Sequence, residues 1–327
     1  MKPKISDVAK RAGVSPTTVS RVLNNRGYIS EETKTRVHQA MKDINYFPND
    51  VARSLFNKRT NVIGLIFPTV ANPFFGELTF YIENICTKLG YKVLLCNSLN
   101  RVDEEEKYVE MLMRNQVDGI IVGTHNRGII NYHKEHLAVV AIDRNLSETI
   151  PVVSSDNYEG GKLATELLVK KGCHHIVHLN GPAELETPAR FRRKAYEDVM
   201  RQSGKEPITY EIPATFDRRS QQGIIEQLFD EQVNVDGIFA SDDVIAASVL
   251  REAKRRGRDV PSDLKVVGYD GTEVTQTLLP ELTTIKQPVE QIAQRSVELL
   301  LQAIEGKFGE LPLETKLPVQ LLEGSTT

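Results

Sequence analysis

From residue 61 onward the chain alternates short, uninterrupted apolar runs with longer amphipathic stretches, and few folds tolerate that texture. The runs Val62 to Phe67, Lys92 to Cys96, Gly119 to Val122, Ala138 to Ile142, Ile176 to Leu179, Gly237 to Ala240 and Leu264 to Val267 read as strands. A strand that is apolar on both faces must be covered on both faces. Helices between such strands supply both the cover and the crossover, so the sheets are expected to be parallel and doubly wound. Two echoes point to duplication. Val117-Asp118-Gly119-Ile120-Ile121 returns as Val235-Asp236-Gly237-Ile238-Phe239, and Gly64-Leu65-Ile66-Phe67 has a counterpart in His175-Ile176-Val177-His178-Leu179. The expectation is two similar α/β lobes with a cleft between them.

Residues 1–60 differ in charge. They hold 12 Lys and Arg against 5 Asp and Glu, while the whole chain of 327 residues carries a net charge of -3. A basic head of about +7 thus precedes an acidic body of about -10. Only the head suits a polyanion. Chain length suits two or three units. No stretch approaches the roughly 18 apolar residues of a membrane span. Met1-Lys2-Pro3-Lys4 begins no apolar leader, so no membrane partner and a cytoplasmic location are expected. Cys86, Cys96 and Cys173 are widely spaced without CxxC pairing and read as buried free thiols.

Within the head, Ile5, Val8, Ala9 and Ala12 recur at helical spacing, and Gly13 suits a left-handed stop. Ser15 is a good N-cap, and Pro16 at the first helical position loses no hydrogen bond. The second helix, to about Asn24, turns Val19, Val22 and Leu23 inward and exposes Thr17, Thr18, Ser20 and Arg21. Ser30, Glu31 and Glu32 start a third helix with Val37, Ala40, Met41 and Ile44 inside. This is either a generic three-helix bundle or a helix-turn-helix. The basic excess and short polar side chains favour the latter, since such a helix sits deep in a major groove while Arg21 reaches a base edge or phosphate.

The run Ile5-Ser6-Asp7-Val8-Ala9-Lys10-Arg11-Ala12-Gly13-Val14-Ser15-Pro16-Thr17-Thr18-Val19-Ser20-Arg21-Val22-Leu23-Asn24 resembles the N-terminal signature of the lactose/galactose repressor family. The resemblance implies that Pro16, Thr17 and Arg21 read bases. It places Ser15, Thr18, Ser20 and Asn24 at phosphate contacts or helix caps. Pro16 departs from members with a polar residue there, so its base contact would be apolar. The run Asp50-Val51-Ala52-Arg53-Ser54-Leu55-Phe56-Asn57-Lys58-Arg59-Thr60 taken alone reads as a linker. Its match, with Asn49, to the family's Asn-x-x-Ala-x-x-Leu pattern implies a hinge helix. Asn49, Ala52, Arg53 and Leu55 would then meet DNA, with Leu55 wedged into a minor-groove base step. A segment that folds only on DNA is a natural place for a switch.

The body resembles the sugar-binding core of the same family and of periplasmic binding proteins. Asn72-Pro73-Phe74-Phe75, Asn115-Gln116-Val117-Asp118-Gly119, Asp156-Asn157-Tyr158-Glu159-Gly160-Gly161, Val267-Gly268-Tyr269-Asp270-Gly271 and Leu282-Thr283-Thr284-Ile285-Lys286-Gln287-Pro288 carry the match. The fold implied is a small all-α helix-turn-helix headpiece at 1–47, a hinge at 48–60 and two doubly wound α/β lobes. The N-terminal lobe would take 61–158 and 288–311, and the C-terminal lobe 159–287 and 312–327.

A hydroxyl-rich ligand needs carboxylate acceptors, a fork-shaped donor and an apolar plate for its ring. Strand ends supply Asp143-Arg144, Ser241-Asp242-Asp243 and Asp270, with Phe74 and Phe75 after the first strand and Phe216 in the second lobe. Structural readings stand beside these. Asp143 and Asp270 could cap helices, and Ser241 and Asp242 could cap one starting near Asp243. One of Phe74 and Phe75 would be core and the other plate. Gly160-Gly161 would let a helix start pack closely. The resemblance matches Arg192 to the family's effector arginine, Asp270 to its aspartate and Gln287 to its cleft glutamine. Ser241 stands where one member has asparagine. A one-residue insertion leaves Arg190 and Arg193 as rivals of Arg192.

His174, His175 and His178 read as surface and strand positions, with no cofactor or metal expected. No nucleophile elbow, zinc-protease motif or Walker pattern occurs. Paired cleft acids leave a glycosidase as one rival. Leu95-Cys96-Asn97-Ser98, His125-Asn126, Ala141-Ile142-Asp143-Arg144-Asn145-Leu146 and Ile150-Pro151-Val152-Val153-Ser154-Ser155-Asp156-Asn157 resemble the family's sucrose-operon branch. The expected effector is sucrose, fructose or a sugar phosphate, with the acids favouring a neutral sugar. The expected protein is a repressor and not an enzyme, a homodimer on pseudo-palindromic operator DNA, released when sugar closes the cleft and the hinge helices melt. The tail after Leu311 lacks the apolar heptads of a tetramerisation helix. Rivals are a regulator activated by a purine or a phosphorylated carrier protein, and a sugar-binding transport protein.

Overall fold

The computed structural model describes residues 3–47, 59–124, 126, 129, 132, 137–183, 188–213, 217–307, 309 and 311–327. It forms two compact units, Met1–Thr60 and Asn61–Thr327.

In the first unit, α1 (Ile5–Ala12), α2 (Pro16–Leu23) and α3 (Glu31–Asp43) enclose Val8, Ala9, Ala12, Val19, Val22, Val37 and Ala40. Each boundary has a local cause. Gly13, at φ 68, ends α1. Ser15 Oγ accepts from Thr18 N at 3.1 Å and Pro16 follows as the first helical residue. Ser30 caps α3 through Thr33 N, with Glu31 and Glu32 at its positive end. Arg11 clasps Asp43 at 2.8 Å and ties α1 to α3. The hinge residues Asn49, Ala52, Arg53 and Leu55 lie outside the described residues.

The second unit opens with β1 (Val62–Phe67), α4 (Pro73–Lys88), β2 (Lys92–Asn97), α5 (Val102–Arg114), β3 (Gly119–Val122), β4 (Ala138–Ile142) and β5 (Val152–Ser155). It continues through α6 (Asn157–Lys170), β6 (Ile176–Asn180), α7 (Ala189–Gln202), β7 (Ile208–Glu211), α8 (Arg218–Glu231), β8 (Gly237–Ala240), α9 (Asp243–Arg255), β9 (Lys265–Asp270), α10 (Glu273–Leu278) and β10 (Thr283–Lys286). It closes with α11 (Val289–Ile304), β11 (Glu314–Leu317) and β12 (Gln320–Leu322).

Two sheets result, ordered β11-β5-β4-β3-β1-β2 and β12-β10-β9-β8-β6-β7. Their pairings are parallel except the antiparallel β10–β12 pair. Both wind alike, reversing direction between β1 and β3 in one and β6 and β8 in the other. Strands are apolar on both faces because both faces are covered. On β1, Ile63, Leu65 and Phe67 join a core with α4 and α11, while Ile66 joins Val109 and Leu112 of α5.

The sequence echo marks equivalent places. Asp118, before β3, accepts from Asn61 N at 2.8 Å. Asp236, before β8, accepts from His174 N at 2.7 Å and His175 N at 2.8 Å. Each aspartate therefore secures the start of the neighbouring strand.

The chain crosses between lobes at Asp156, at Gln287–Pro288 and between Leu317 and Gln320. Two expected boundaries move. Helix α6 begins at Asn157 and packs on β9, β10 and β12, so the second lobe starts before residue 159. The tail does not enter the second lobe at 312, because Glu314–Leu317 pairs in parallel with Val152–Ser155. That edge strand carries little apolar pattern to announce itself. Among the described residues no helix is long and apolar enough to cross a membrane. All three cysteines are buried and free, and burial pushes each thiol up to about 11.

Candidate functional site

In doubly wound sheets, ligands gather beyond the carboxyl ends of the strands, where the winding reverses. The strand ends of both lobes meet there around one cleft. The first lobe contributes Asn72, Phe74 and Phe75 after β1, Gly123 after β3 and Asp143 after β4. The second contributes Ser241 and Asp242 after β8, Asp270 at the end of β9, Gln287 after β10 and Arg192 from α7. The lobes also touch where Glu77 on α4 accepts from Glu273 N, at the start of α10, at 2.8 Å.

Arg192 is the centre of the polar network. Its Nε donates to Asn157 Oδ1 at 2.8 Å, and its Nη1 donates to the Ser241 carbonyl. The guanidinium carbon lies 3.5 Å from the centre of the Tyr269 ring. Nη1 is 4.0 Å from Asp270 Oδ1. Asp270 also accepts from Gln287 Nε2 at 2.7 Å, and Gln287 Oε1 accepts from Ser155 Oγ at 2.6 Å. Asp143 and Asp270 sit at φ 60 and φ 112, backbone regions that side chains other than glycine seldom occupy. Strain of this kind collects at ligand sites.

Burial dominates the electrostatics. It pushes Asp143 up to about 6, with Arg192 pulling the other way. It also raises Asp270 well above the carboxylate range and raises Asp242, again against Arg192. Asp242 caps α9 by accepting from Ile245 N at 2.7 Å. Asp243 lies behind the floor, accepting from Gly271 N at 2.8 Å and Thr284 Oγ1 at 2.6 Å, and burial pushes it up to about 7. One cation and three acidic side chains therefore line the cleft among the described residues. Such a set suits hydroxyl groups, and each acid that is ionised disfavours an anion.

Of the three rival arginines, Arg192 is the one that borders the cleft. Arg192 is buried in a stripe with Ala195, Tyr196, Val199 and Met200. Arg190 lies against Phe191, and Arg193 pairs with Glu197 at 2.9 Å and Glu211 at 2.6 Å. Phe74 and Phe75 do not divide into core and plate. Both are buried in the first-lobe core, both border the cleft, and they meet edge to face at 5.2 Å. Phe216 lies outside the described residues.

Arg144 requires correction, because it is not a wall of the cleft. Asp143 faces the cleft, and Arg144 is buried with its Nη1 3.5 Å from the Thr124 carbonyl. Beside it, Glu105 accepts from Thr124, Asn126 and Tyr132 at 2.7, 2.7 and 2.8 Å. Sequence reasoning passed over Asn72 as a cleft residue and Asn157 as the partner of Arg192. The signal for Asn157 was its place one residue after a cap and beside the Gly160-Gly161 pair. A Cβ on Gly160 would fall on the Tyr269 ring, and one on Gly161 would lie 2.6 Å from the Arg192 carbonyl oxygen. The close packing expected of this pair is what holds Arg192 against α6.

His178 is fully buried, its Nδ1 2.8 Å from the Phe239 carbonyl and its ring stacked on Phe239 at 4.6 Å. Burial pushes its pKa down to about 3. Among the described residues no group of His, Cys, Asp or Glu could hold a metal ion.

In the first unit, Thr17, Ser20, Arg21 and Asn24 line a shallow depression together with Arg26 and Gly27. Thr17 and Arg21 are exposed. Ser15 and Thr18 share a 2.9 Å hydroxyl contact, and Asn24 donates to the Ser20 carbonyl at 2.9 Å. The exposed face thus combines preset hydroxyls with two arginines. Arg26, beyond the helix end, was not foreseen.

Residues 4–49 match the family model of bacterial regulatory proteins, lacI family, and residues 165–327 match a periplasmic binding protein-like domain. The chain is 45% identical over 326 residues to the sucrose operon repressor of Pediococcus pentosaceus, covering 100% of both chains. It is 40% identical to the ribose operon repressor of Halalkalibacterium halodurans, covering 99% of this chain and 96% of that one. Among solved structures, the lac repressor dimer bound to operator and the anti-inducer ONPF superposes with a TM-score of 0.87 at 27% identity, covering 100% and 99% of the two chains.

Proposed function

The chain belongs to the lacI family of bacterial regulatory proteins and is a sugar-responsive, DNA-binding repressor, and from that premise we propose that its effector is a neutral sugar of the sucrose or fructose class. The observation that carries this reading is the cleft's charge balance: among the described residues, Arg192 is the one cation that lines it beside the acidic side chains of Asp143, Asp242 and Asp270. A sugar phosphate would bring further negative charge into that setting. Full-length similarity to a sucrose operon repressor supports the same class.

In this reading Asp143, Asp270 and Arg192 hold hydroxyls, while Phe74 and Phe75 meet the apolar face of the ring. Gln287 orients Asp270, and Ser241, with Phe216, completes the wall. Ser15, Pro16, Thr17, Thr18, Ser20, Arg21 and Asn24 contact operator DNA, joined by Asn49, Ala52, Arg53 and Leu55 of the hinge. The protein works in the cytoplasm as a homodimer on a pseudo-palindrome and catalyses nothing. Sugar weakens operator binding because it favours a closed cleft; a differential affinity of about 1–3 kcal/mol between states is the usual size of such coupling. A thermal-shift screen of the full chain with sucrose, fructose, ribose and fructose phosphates tests the effector class. A neutral sugar at saturating concentration should raise the melting temperature. Stabilisation by the phosphates alone would overturn the reading.

A further inference from the structure

We infer that Asn157 is the positioning residue for Arg192, joining it across the first crossover to Asp143 of the other lobe. The inference rests on the reading that Arg192 holds the sugar. Asn157 is the first residue of α6, where the chain has just left the first lobe, and it is 4% exposed. Its amide oxygen accepts from Arg192 Nε at 2.8 Å. Its amide nitrogen donates to the Ser155 carbonyl at 3.0 Å and faces Asp143 Oδ1 at 3.4 Å.

The chemistry of these partners leaves asparagine little room to be replaced. A guanidinium only donates, so the atom facing it must accept. A carbonyl and a carboxylate only accept, so the atom facing them must donate. A carboxamide supplies both on one planar group, and its orientation follows from its partners. Aspartate would keep the acceptor for Arg192 but set a second carboxylate against Asp143. Leucine would keep the approximate bulk and neither function.

Other restraints on Arg192 come from its own lobe: the Ser241 carbonyl, the Tyr269 ring and Asp270, 4.0 Å away. Asn157 is thus the bond that ties the guanidinium to the first lobe. Its contact with Asp143, at 3.4 Å, lies at the long limit for a hydrogen bond. A ligand that draws Asp143 and Arg192 together shortens it, and lobe closure and arginine orientation become one event.

The test combines spectra of the ligand-free full chain, carrying 15N-labelled arginine, with calorimetric titration of sucrose and fructose. Loss of one signal in Arg192→Lys assigns Arg192 Nε–H, which should exchange slowly with solvent. Asn157→Asp should keep that slow exchange yet bind sugar about tenfold more weakly, because the tie to Asp143 is gone. Asn157→Leu should lose the slow exchange and weaken binding further. If Asn157→Leu does not fold, Asn157→Asp decides alone. Slow exchange surviving in Asn157→Leu, or parental sugar affinity in Asn157→Asp, would overturn the inference. If the parent binds neither sugar, the sugar reading fails while the Nε–H comparison still decides the role of Asn157.

Discussion

The guanidinium carbon of Arg192 stands 3.5 Å from the centre of the Tyr269 ring, a contact that together with two hydrogen bonds leaves the arginine few directions in which to point. A cation over a ring is worth about 2 kcal/mol when desolvated, and here two directed hydrogen bonds add to it. Lysine is a point charge and reproduces neither the fork nor the stacking. Arg192→Lys should therefore weaken sugar binding by about 1.5–3 kcal/mol, the scale of a lost charged hydrogen bond. Calorimetry on the purified variant measures this, and retained affinity would remove Arg192 from the site.

Affinity should depend on pH through Asp143. Burial pushes its carboxyl up to about 6, with Arg192, Asn157 and the Ser155 backbone opposing and the Tyr269 ring nearby. A sugar hydroxyl donates to the ionised form, so binding lowers the carboxyl's pKa. The Asp143 share of the affinity then rises with pH up to about 6 and levels above it. Asp242 and Asp270 are raised in the same direction. The difference between the parent and Asp143→Asn isolates the Asp143 share. Titrations from about pH 5 to about pH 8 should show the step flattened in the variant. An identical step in both would assign it elsewhere.

Two glycine replacements should differ in sign. A Cβ at Gly161 lies 2.6 Å from the backbone oxygen of Arg192, and that backbone is held by α7. Gly161→Ala should cost about 1–3 kcal/mol of stability and misplace the arginine. Gly223 lies inside α8 with nothing within 4 Å of a new Cβ. Gly223→Ala should stabilise by about 0.5–1 kcal/mol. Chemical denaturation of both variants gives the comparison.

The head and core should be separable by mutation. Arg21 is exposed beside Thr17 and Ser20, whereas Arg11 is engaged with Asp43. Arg21→Ala should weaken operator binding by about 1–3 kcal/mol and leave sugar affinity unchanged. Arg11→Ala should change protein stability by less than about 1 kcal/mol, since exposed pairs contribute little. Anisotropy titrations with labelled operator DNA measure the first and thermal melts the second.

Much of this was legible before any coordinates. Strands such as Val62–Phe67 announce themselves because both faces are buried and every residue is apolar. Thr283–Lys286, Ile208–Glu211 and Glu314–Leu317 do not, being four residues long with polar or hydroxyl side chains. They form because a pre-existing sheet edge offers hydrogen bonds, which is tertiary information. Arg192 was readable in principle, because it shares a helical stripe with Ala195, Tyr196 and Val199 that excludes Arg190 and Arg193. The side to which Arg144 turns was not, because it depends on the left-handed φ of Asp143 just before it. Asn157 escaped notice because its partners are 35 and 14 residues away in sequence.

The central claim is that sugar in the cleft governs operator affinity. Its most direct measurement is titration of sucrose and fructose into the complex of the full chain with operator DNA, in parallel with Arg192→Lys. The account predicts that one of these sugars releases the parent protein from DNA, while the variant binds the same DNA and ignores the sugar. Operator affinity indifferent to both sugars in the parent, or equal release of the variant, would contradict it.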